Sequence, residues 1–209
     1  MRTMLPWLLP ILVLAACKAE RPAEPAAPAA ERPDQPAADM PPAAATVAAP
    51  SLPTGPIPAA GAITFAGFGP ASFGANDEAV RMAWGKDLGD VYAGEAGGCY
   101  YLFPQPQPEG SYRLGFMIEG NKFARIDVDT AEIVAPGGGK VGMSAEEIGK
   151  LYAGRIEEQP HKYDPDGKYL RIKDSAGGAG VLLFEVNAGK VSEWRIGVPP
   201  QVDYVEGCS

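Results

Sequence analysis

The segment Val141–Gly154, VGMSAEEIGKLYAG, decides how the folded part of this chain is interpreted. Ser144 stands three residues before Glu147, so each side chain can accept a hydrogen bond from the other residue's backbone amide, which is the capping box that begins a helix. Apolar residues follow at helical spacing. They are Ile148, Leu151 and Tyr152. The sequence therefore predicts a short helix with one face on a core.

A similar segment lies 68 positions earlier, at Phe73–Gly85, FGANDEAVRMAWG. Asn76 takes the place of Ser144, and Val80 takes the place of Ile148. Shifting the whole sequence by 68 positions also aligns further pairs, which are Tyr101 with Tyr169, Leu102 with Leu170, Phe116 with Phe184 and Lys122 with Lys190. Two interpretations remain open: a tandem duplication, or one continuous α+β domain with similar local patterns.

We predict an α+β fold of two tandem repeats, 61–135 and 136–209, each a short helix packed on an antiparallel sheet of three or four strands. The predicted strands are Ile63–Phe65, Cys99–Phe103, Leu114–Glu119, Lys122–Asp127, Glu132–Val134, Tyr169–Lys173, Val181–Asn187 and Lys190–Val198. Side chains alternate along a strand, so every second residue faces the helices. These inner residues are Leu102, Phe116, Ile118, Ile126, Val128, Leu170, Phe184, Val186, Trp194 and Ile196.

The other face of such a sheet is expected to lie in solvent, because only one side is covered by helices. Its residues mix aromatic and charged side chains. They are Tyr101, Phe103, Met117, Arg125, Asp127, Tyr169, Arg171, Glu185, Glu193 and Arg195.

The N-terminus predicts export. Residues 1–16 combine a positive start at Arg2 with an apolar run too short to span a bilayer. The run ends in Leu14-Ala15-Ala16-Cys17, which resembles the lipobox of bacterial lipoproteins. The resemblance implies a signal peptide cleaved before Cys17 and a lipidated Cys17 that anchors the chain. Lys18, where lipoproteins of the inner membrane carry Asp, implies the outer membrane, with the body in the periplasm or at the surface. An ordinary secretory signal followed by a chance cysteine is the alternative.

Residues 17–60 are predicted to be a disordered linker. Between positions 18 and 60 the chain has 11 Pro and 15 Ala, a composition that cannot bury enough apolar surface to offset its ordering entropy. Extended polyproline II at ~3.1 Å per residue gives this linker a reach on the order of 130 Å.

The remaining cysteines, Cys99 and Cys208, are expected to form a disulfide, because the periplasm is oxidising. A pair of redox-active thiols is the alternative, but a Cys-x-x-Cys spacing is absent from the sequence. The net charge of −8 argues against nucleic acid as a partner.

The sequence offers no catalytic constellation, and we expect no enzyme activity, no metal and no cofactor. Gly137-Gly138-Gly139-Lys140 lacks the first glycine and the Ser or Thr of a phosphate-binding loop, so a connection between the repeats is the better interpretation. Asp164-Pro165-Asp166-Gly167 lacks the later ligands of a calcium loop and is predicted to be a turn. The single histidine, His161, is expected to be a solvated loop residue.

The body resembles the β-lactamase inhibitor protein, with its tandem helix-plus-sheet units, and the SmpA/OmlA family of outer-membrane lipoproteins. The second resemblance depends on Gly142, Ser144 and Glu146 at the helix start. Both imply that the exposed sheet face binds a periplasmic or envelope protein. The candidate contacts are Tyr101, Phe103, Met117, Tyr169, Arg171 and Arg195, since aromatic residues and Arg dominate binding hot spots. The alternative is a lectin-like module that recognises peptidoglycan or a surface glycan by stacking on Tyr101, Phe103 and Tyr169. A weak hydrolase is a third, disfavoured by the single histidine.

Overall fold

A computed structural model describes residues 56–93 and 98–208. The predicted signal peptide, Cys17 and most of the predicted linker lie outside the described residues. Within them, the chain forms two helices and eleven strands. In chain order these are β1 (Ile63–Thr64), β2 (Gly67–Phe68), β3 (Ala71–Ser72), α1 (Asp77–Trp84), β4 (Leu88–Ala93), β5 (Cys99–Pro104), β6 (Leu114–Glu119), β7 (Lys122–Val128), α2 (Ala145–Leu151), β8 (Ile156–Pro160), β9 (Lys168–Lys173), β10 (Val181–Asn187) and β11 (Lys190–Gly197). The α+β class is therefore confirmed.

The strands β4 to β11 form one antiparallel sheet in the order β4-β5-β6-β7-β11-β10-β9-β8. The strands β4 to β7 follow one another from one edge to the middle, and β8 to β11 follow one another from the opposite edge to the middle, so that β7 and β11 meet at the centre. The three short strands β1 to β3 form a separate small sheet. The two helix-plus-strand segments thus share one eight-stranded sheet, whereas the sequence suggested a smaller sheet for each.

The pairing of β7 with β11 has a register that relates the two halves of the sheet. Ile126 lies opposite Ile196, and Val128 lies opposite Trp194. Ile126 and Trp194 are 68 positions apart, as are Val128 and Ile196. Exchanging the two halves therefore maps this pairing onto itself.

Both helices begin as the sequence predicts. The capping box of α2 is complete, with Glu147 N donating to Ser144 Oγ at 3.2 Å and Ser144 N donating to the Glu147 carboxylate at 2.8 Å. In α1, Asn76 Oδ1 accepts from Ala79 N at 3.1 Å. The prediction for Leu151 is wrong, because this side chain is 42% exposed at the end of α2.

The core lies between the helices and the inner face of the sheet. All ten residues predicted for that face belong to it, and none is more than 2% exposed. Val80 of α1 and Ile148 of α2 are fully buried against the same core. Alternation along the strands was therefore a sufficient guide to this side of the sheet.

The strand predictions need correction. Residues 132–134 are not a strand, and four strands escaped prediction, namely the short β2 and β3 and the edge strands β4 and β8. The strand β8 has the sequence IEEQP and is mostly exposed. Charged side chains and proline are typical of edge strands, which must avoid pairing with other chains. They also remove the alternating apolar pattern by which a strand is recognised.

The glycine run before α2 is packed tightly against the core. Gly139 N donates to Tyr152 Oη at 3.1 Å, and Tyr152 Oη donates to Pro136 O at 2.8 Å. A Cβ atom at Gly139 would lie 2.3 Å from the Phe184 ring. The run therefore holds α2 close to β10, and its glycines are needed for that approach.

We expect Gly139→Ala to lower the free energy of unfolding by about 1–3 kcal/mol, because the added methyl group overlaps Phe184 and Ile148. Urea denaturation measures this. Gly149→Ala is the matched control, since a Cβ atom on this α2 glycine meets nothing within 4 Å. It should raise stability by about 0.5–1 kcal/mol. Equal effects of the two substitutions would contradict the packing described.

Candidate functional site

The sheet face opposite the helices is partly covered by the chain's own C-terminal segment (residues 198–208). This segment contains a 3₁₀ turn, Gln201–Asp203, and lies across the middle strands. The expectation of a fully exposed face is therefore wrong for Tyr169 and Arg195, which are 5% and 1% exposed and contact this segment. It is also wrong for Met117, which is 0% exposed. The sequence pattern of the strands carries no information on what a distant tail will cover.

Arg125 on β7 attaches this segment to the sheet. Its guanidinium is 2% exposed and donates to Gln201 O at 2.8 Å and to Tyr204 O at 2.7 Å. It also donates to Asp127 Oδ2 at 2.9 Å and to Tyr101 Oη at 2.7 Å. A buried guanidinium requires such partners, and the carbonyl groups of the segment supply two of them.

Arg195 on β11 makes the second attachment. Its Nε donates to Val202 O at 2.9 Å. Its Nη1 lies 3.0 Å from Glu193 Oε1 and 3.3 Å from Glu185 Oε2, so two carboxylates share one guanidinium nitrogen. Arg195 also lies over the Tyr169 ring, 5.4 Å from its centroid.

Apolar and covalent contacts complete the attachment. Val202 is fully buried and packs in a small cluster of its own. The other buried members are Tyr169, Val181 and Leu183. At the end of the segment, Cys208 forms a disulfide with Cys99 on β5, the pair that the sequence predicted, with Cα atoms 5.2 Å apart. The crosslink spans 109 positions and stabilises the fold by about 4–5 kcal/mol on the chain-entropy model.

A cavity of about 290 Å³ remains beside the covered strip. Its walls come from β5, the loop before β6, the centre of the sheet and the C-terminal segment. The lining residues are Tyr101, Phe103, Tyr112, Arg125, Asp127, Glu193, Val205, Glu206 and Gly207.

Three aromatic rings form one side of this cavity. The rings of Tyr101 and Phe103 stack with centroids 5.4 Å apart and planes 17° apart, and Tyr112 lies 6.1 Å beyond Phe103. A Cβ atom at Gly115 would come within 2.9 Å of Phe103 and 3.2 Å of Tyr101. Because Gly115 has no side chain, both rings can pack directly on β6.

The charges in the cavity are mostly carboxylates. Asp127 pairs with Arg125, and Glu206 at the rim contacts Lys162 and Tyr163. Burial raises the pKa of Glu193, and the neighbouring charges of Glu185 and Asp127 raise this pKa further. Tyr112 Oη lies 3.3 Å from Glu193 Oε2, and burial also raises the pKa of Tyr112.

His161 is part of the same polar network, so the expectation of a solvated histidine is wrong. Its Nδ1 accepts from Tyr163 N at 3.1 Å and from Asp164 N at 2.9 Å. With Nδ1 as an acceptor, Nε2 carries the proton and donates to Glu185 Oε1 at 3.0 Å. The ring stacks on Tyr169 at 4.7 Å. Asp164 to Gly167 form the predicted turn, closed by Gly167 N donating to Asp164 O at 3.0 Å.

A second cavity, of about 270 Å³, lies on the other side of the C-terminal segment. Tyr169, Arg171 and Arg195 line it, and Asp203 binds Arg171 at 3.1 Å. Val205 borders both cavities.

The structure thus divides the six candidate contacts among different places. Tyr101 and Phe103 line the first cavity, Tyr169, Arg171 and Arg195 line the second, and Met117 lines neither. Tyr112 escaped prediction because it lies in a Pro-rich loop, outside any strand pattern. In the described ranges, 56–93 and 98–208, no group of three His, Cys, Asp or Glu side chains is placed to hold a metal ion.

Comparisons with known proteins give no family. No family model matches the sequence, and no curated protein matches it. Among solved structures, the chain is similar to an extracellular protein containing an SCP domain from Bacillus anthracis strain Ames, with 14% identity and a TM-score of 0.39. That alignment covers 60% of this chain and 44% of the Bacillus protein, so the chain spans less than half of that protein's length.

A second similar structure is the uncharacterized protein YfeY from Escherichia coli. The identity is 17% and the TM-score 0.39, over 61% of this chain and 91% of that one. Neither described helix of the present chain, in residues 56–93 and 98–208, has the length and apolar character needed to cross a bilayer.

We expect Arg125→Met to lower the free energy of unfolding by about 3–5 kcal/mol, because Asp127 loses its buried partner and two carbonyl groups lose their donors. Arg171→Met is the control. Its pairing with the exposed Asp203 predicts a loss of at most about 1 kcal/mol. Denaturation in urea separates the two. A loss below about 1 kcal/mol for Arg125→Met would show that Arg125 does not hold the segment.

Proposed function

We propose that this chain is a non-enzymatic lipoprotein of the bacterial outer membrane whose body binds an envelope protein at the first cavity. In this proposal Cys17 carries the lipid anchor and residues 17–60 are the linker. The observation that carries the binding function is the aromatic wall of Tyr101, Phe103 and Tyr112, which is partly exposed beside buried charged groups. Tyr is enriched among binding hot spots, which cluster in well-packed pockets that the partner desolvates.

The rigidity of the cavity supports this proposal. Its floor belongs to the central strands of the sheet, and its rim is fixed by the buried Arg125 and by the disulfide of Cys208. A preformed site loses little conformational entropy on binding. A partner can therefore gain affinity from few contacts.

We also infer that the body consists of two tandem repeats. The reversed strand order of the two halves and the self-consistent register of β7 with β11 support this inference. The charges at the centre of the face support it as well. Arg125 and Asp127 stand 68 positions before Glu193 and Arg195, so each half contributes one cation and one carboxylate two residues apart, in opposite order.

A glycan is the second candidate ligand, and the stacked pair of Tyr101 and Phe103 favours it. A sugar ring can stack on an aromatic ring of this pair, with its hydroxyl groups donating to Asp127 and Glu193, which line the same cavity. In this version the body would recognise peptidoglycan or a surface glycan.

Crosslinking in cells tests the binding function. A photoreactive phenylalanine analogue at Phe103 should capture a discrete envelope protein, which should then bind the purified chain. Tyr112→Ala should weaken that binding by about tenfold or more, as for a hot-spot residue.

The matched control places the same photoreactive residue at Met82, which is 69% exposed on α1, away from the cavity. The same captured bands at both positions, or none at Phe103, would sink the protein-binding proposal. In the same strains, Cys17→Ser should move the chain from the membrane fraction to the soluble fraction. Unchanged membrane association would contradict the lipid anchor.

A further inference from the structure

We propose that the first cavity binds a cationic group, namely the ammonium of a lysine side chain that the partner inserts among Tyr101, Phe103 and Tyr112. This proposal rests on the function proposed above and adds the chemistry by which the partner is recognised.

The balance of charge in the cavity is the first argument. Three carboxylates line it, those of Asp127, Glu193 and Glu206, and the one guanidinium among the lining residues is that of Arg125; Arg195 and Lys162, which pair with Glu193 and Glu206, lie outside the lining. Arg125 directs four hydrogen bonds to the protein itself, to Asp127, Tyr101 and two carbonyl groups of the C-terminal segment. Because four of its donors already bind groups of the protein, Arg125 is a poor partner for an anionic ligand.

The wider network of charged groups on this sheet face also has an excess of negative charge. Behind the cavity, Arg195 is shared between Glu193 and Glu185. The five charged groups at the centre of the sheet face are thus two guanidinium groups and three carboxylates. A cation bound beside Glu193 would restore the balance, whereas an anion would increase the imbalance.

The aromatic wall is the second, independent argument. The quadrupole of a Tyr or Phe ring attracts a lysine ammonium placed over the face of the ring. The ring of Tyr101 stacks on the ring of Phe103, and the ring of Tyr112 is tilted by 46° to that of Phe103. The three rings therefore form a bent wall. A volume of about 290 Å³ is larger than a butylammonium group needs.

The second cavity shows the contrast. It is lined by two guanidinium groups, Arg171 and Arg195, and one carboxylate, Asp203. Its position 171 corresponds to Phe103 after the shift of 68. The two cavities beside the C-terminal segment therefore differ in their lining: aromatic rings and carboxylates in the first, and in the second two guanidinium groups that are paired with Asp203, Glu185 and Glu193.

The test uses n-butylammonium as the probe, because it is the end of a lysine side chain, with n-butanol as the neutral analogue. The full chain is purified in detergent with its disulfide intact and labelled with ¹³C in its aromatic rings. We expect n-butylammonium to shift the ring signals of Tyr101, Phe103 and Tyr112 saturably, and n-butanol to bind at least about tenfold more weakly.

Two variants locate the effect. Glu193→Gln should weaken n-butylammonium about tenfold, since a charge-assisted hydrogen bond is lost. Glu158→Gln removes the same charge from the exposed edge strand β8 and should leave the affinity unchanged. Phe103→Leu keeps every charge and should weaken binding several-fold. An unchanged Trp194 indole signal shows in each case that the core is intact.

Equal binding of n-butanol, or no shift with either compound, would overturn the cation site. Ring shifts with N-acetylglucosamine and none with n-butylammonium would also overturn it, in favour of the glycan. The crosslinking experiment at Phe103 stands apart from these results. Capture of a partner without n-butylammonium binding refutes only the cation site. Binding of n-butylammonium without capture keeps the cation site but refutes the protein partner, and with it the partner's lysine as the occupant.

Discussion

The burial of two guanidinium groups, Arg125 and Arg195, is the constraint on which the covered face of this protein depends. A guanidinium without hydrogen-bond partners is costly inside a protein, and these two lie on neighbouring strands at the centre of an eight-stranded sheet. Their partners are carboxylates on the same face and three carbonyl groups of residues 201–204. The C-terminal segment is therefore an integral part of the sheet's solvent side.

This arrangement explains why the outer face of the sheet is only partly covered. The segment crosses the middle of the sheet, where Val202 fills an apolar cluster, and the disulfide ties its end to β5. It leaves a cavity on each side. The cavities differ in their lining, with Phe103 in the first and Arg171 in the second.

Residue pattern alone predicted the inner side of the fold well. The capping residues Asn76 and Ser144 begin their helices, and the alternating apolar residues of the long strands all reach the core. These features depend on local geometry and on whether each side chain faces water or the protein interior. They can be read from neighbouring residues.

The outer side could not be predicted in the same way. Arg195 and Tyr169 look like solvent-side strand residues, and their burial depends on a segment that begins only after β11. His161 looks like a loop residue, and its burial depends on Glu185 in β10. Contacts between distant segments, made by polar atoms whose partners are backbone carbonyl groups or carboxylates, leave no periodic signal in the sequence.

The most direct test of this account is amide hydrogen exchange in the C-terminal segment of the native protein. The amide of Val202 donates to Val198 O at 3.0 Å beneath a fully buried side chain. If the segment is part of the sheet's packing, this amide exchanges as slowly as the amides of β7 and β11, because it opens only when the sheet unfolds. Exchange as fast as in an exposed loop would show that the segment lifts freely from the face, and the two arginines would then not be its anchors.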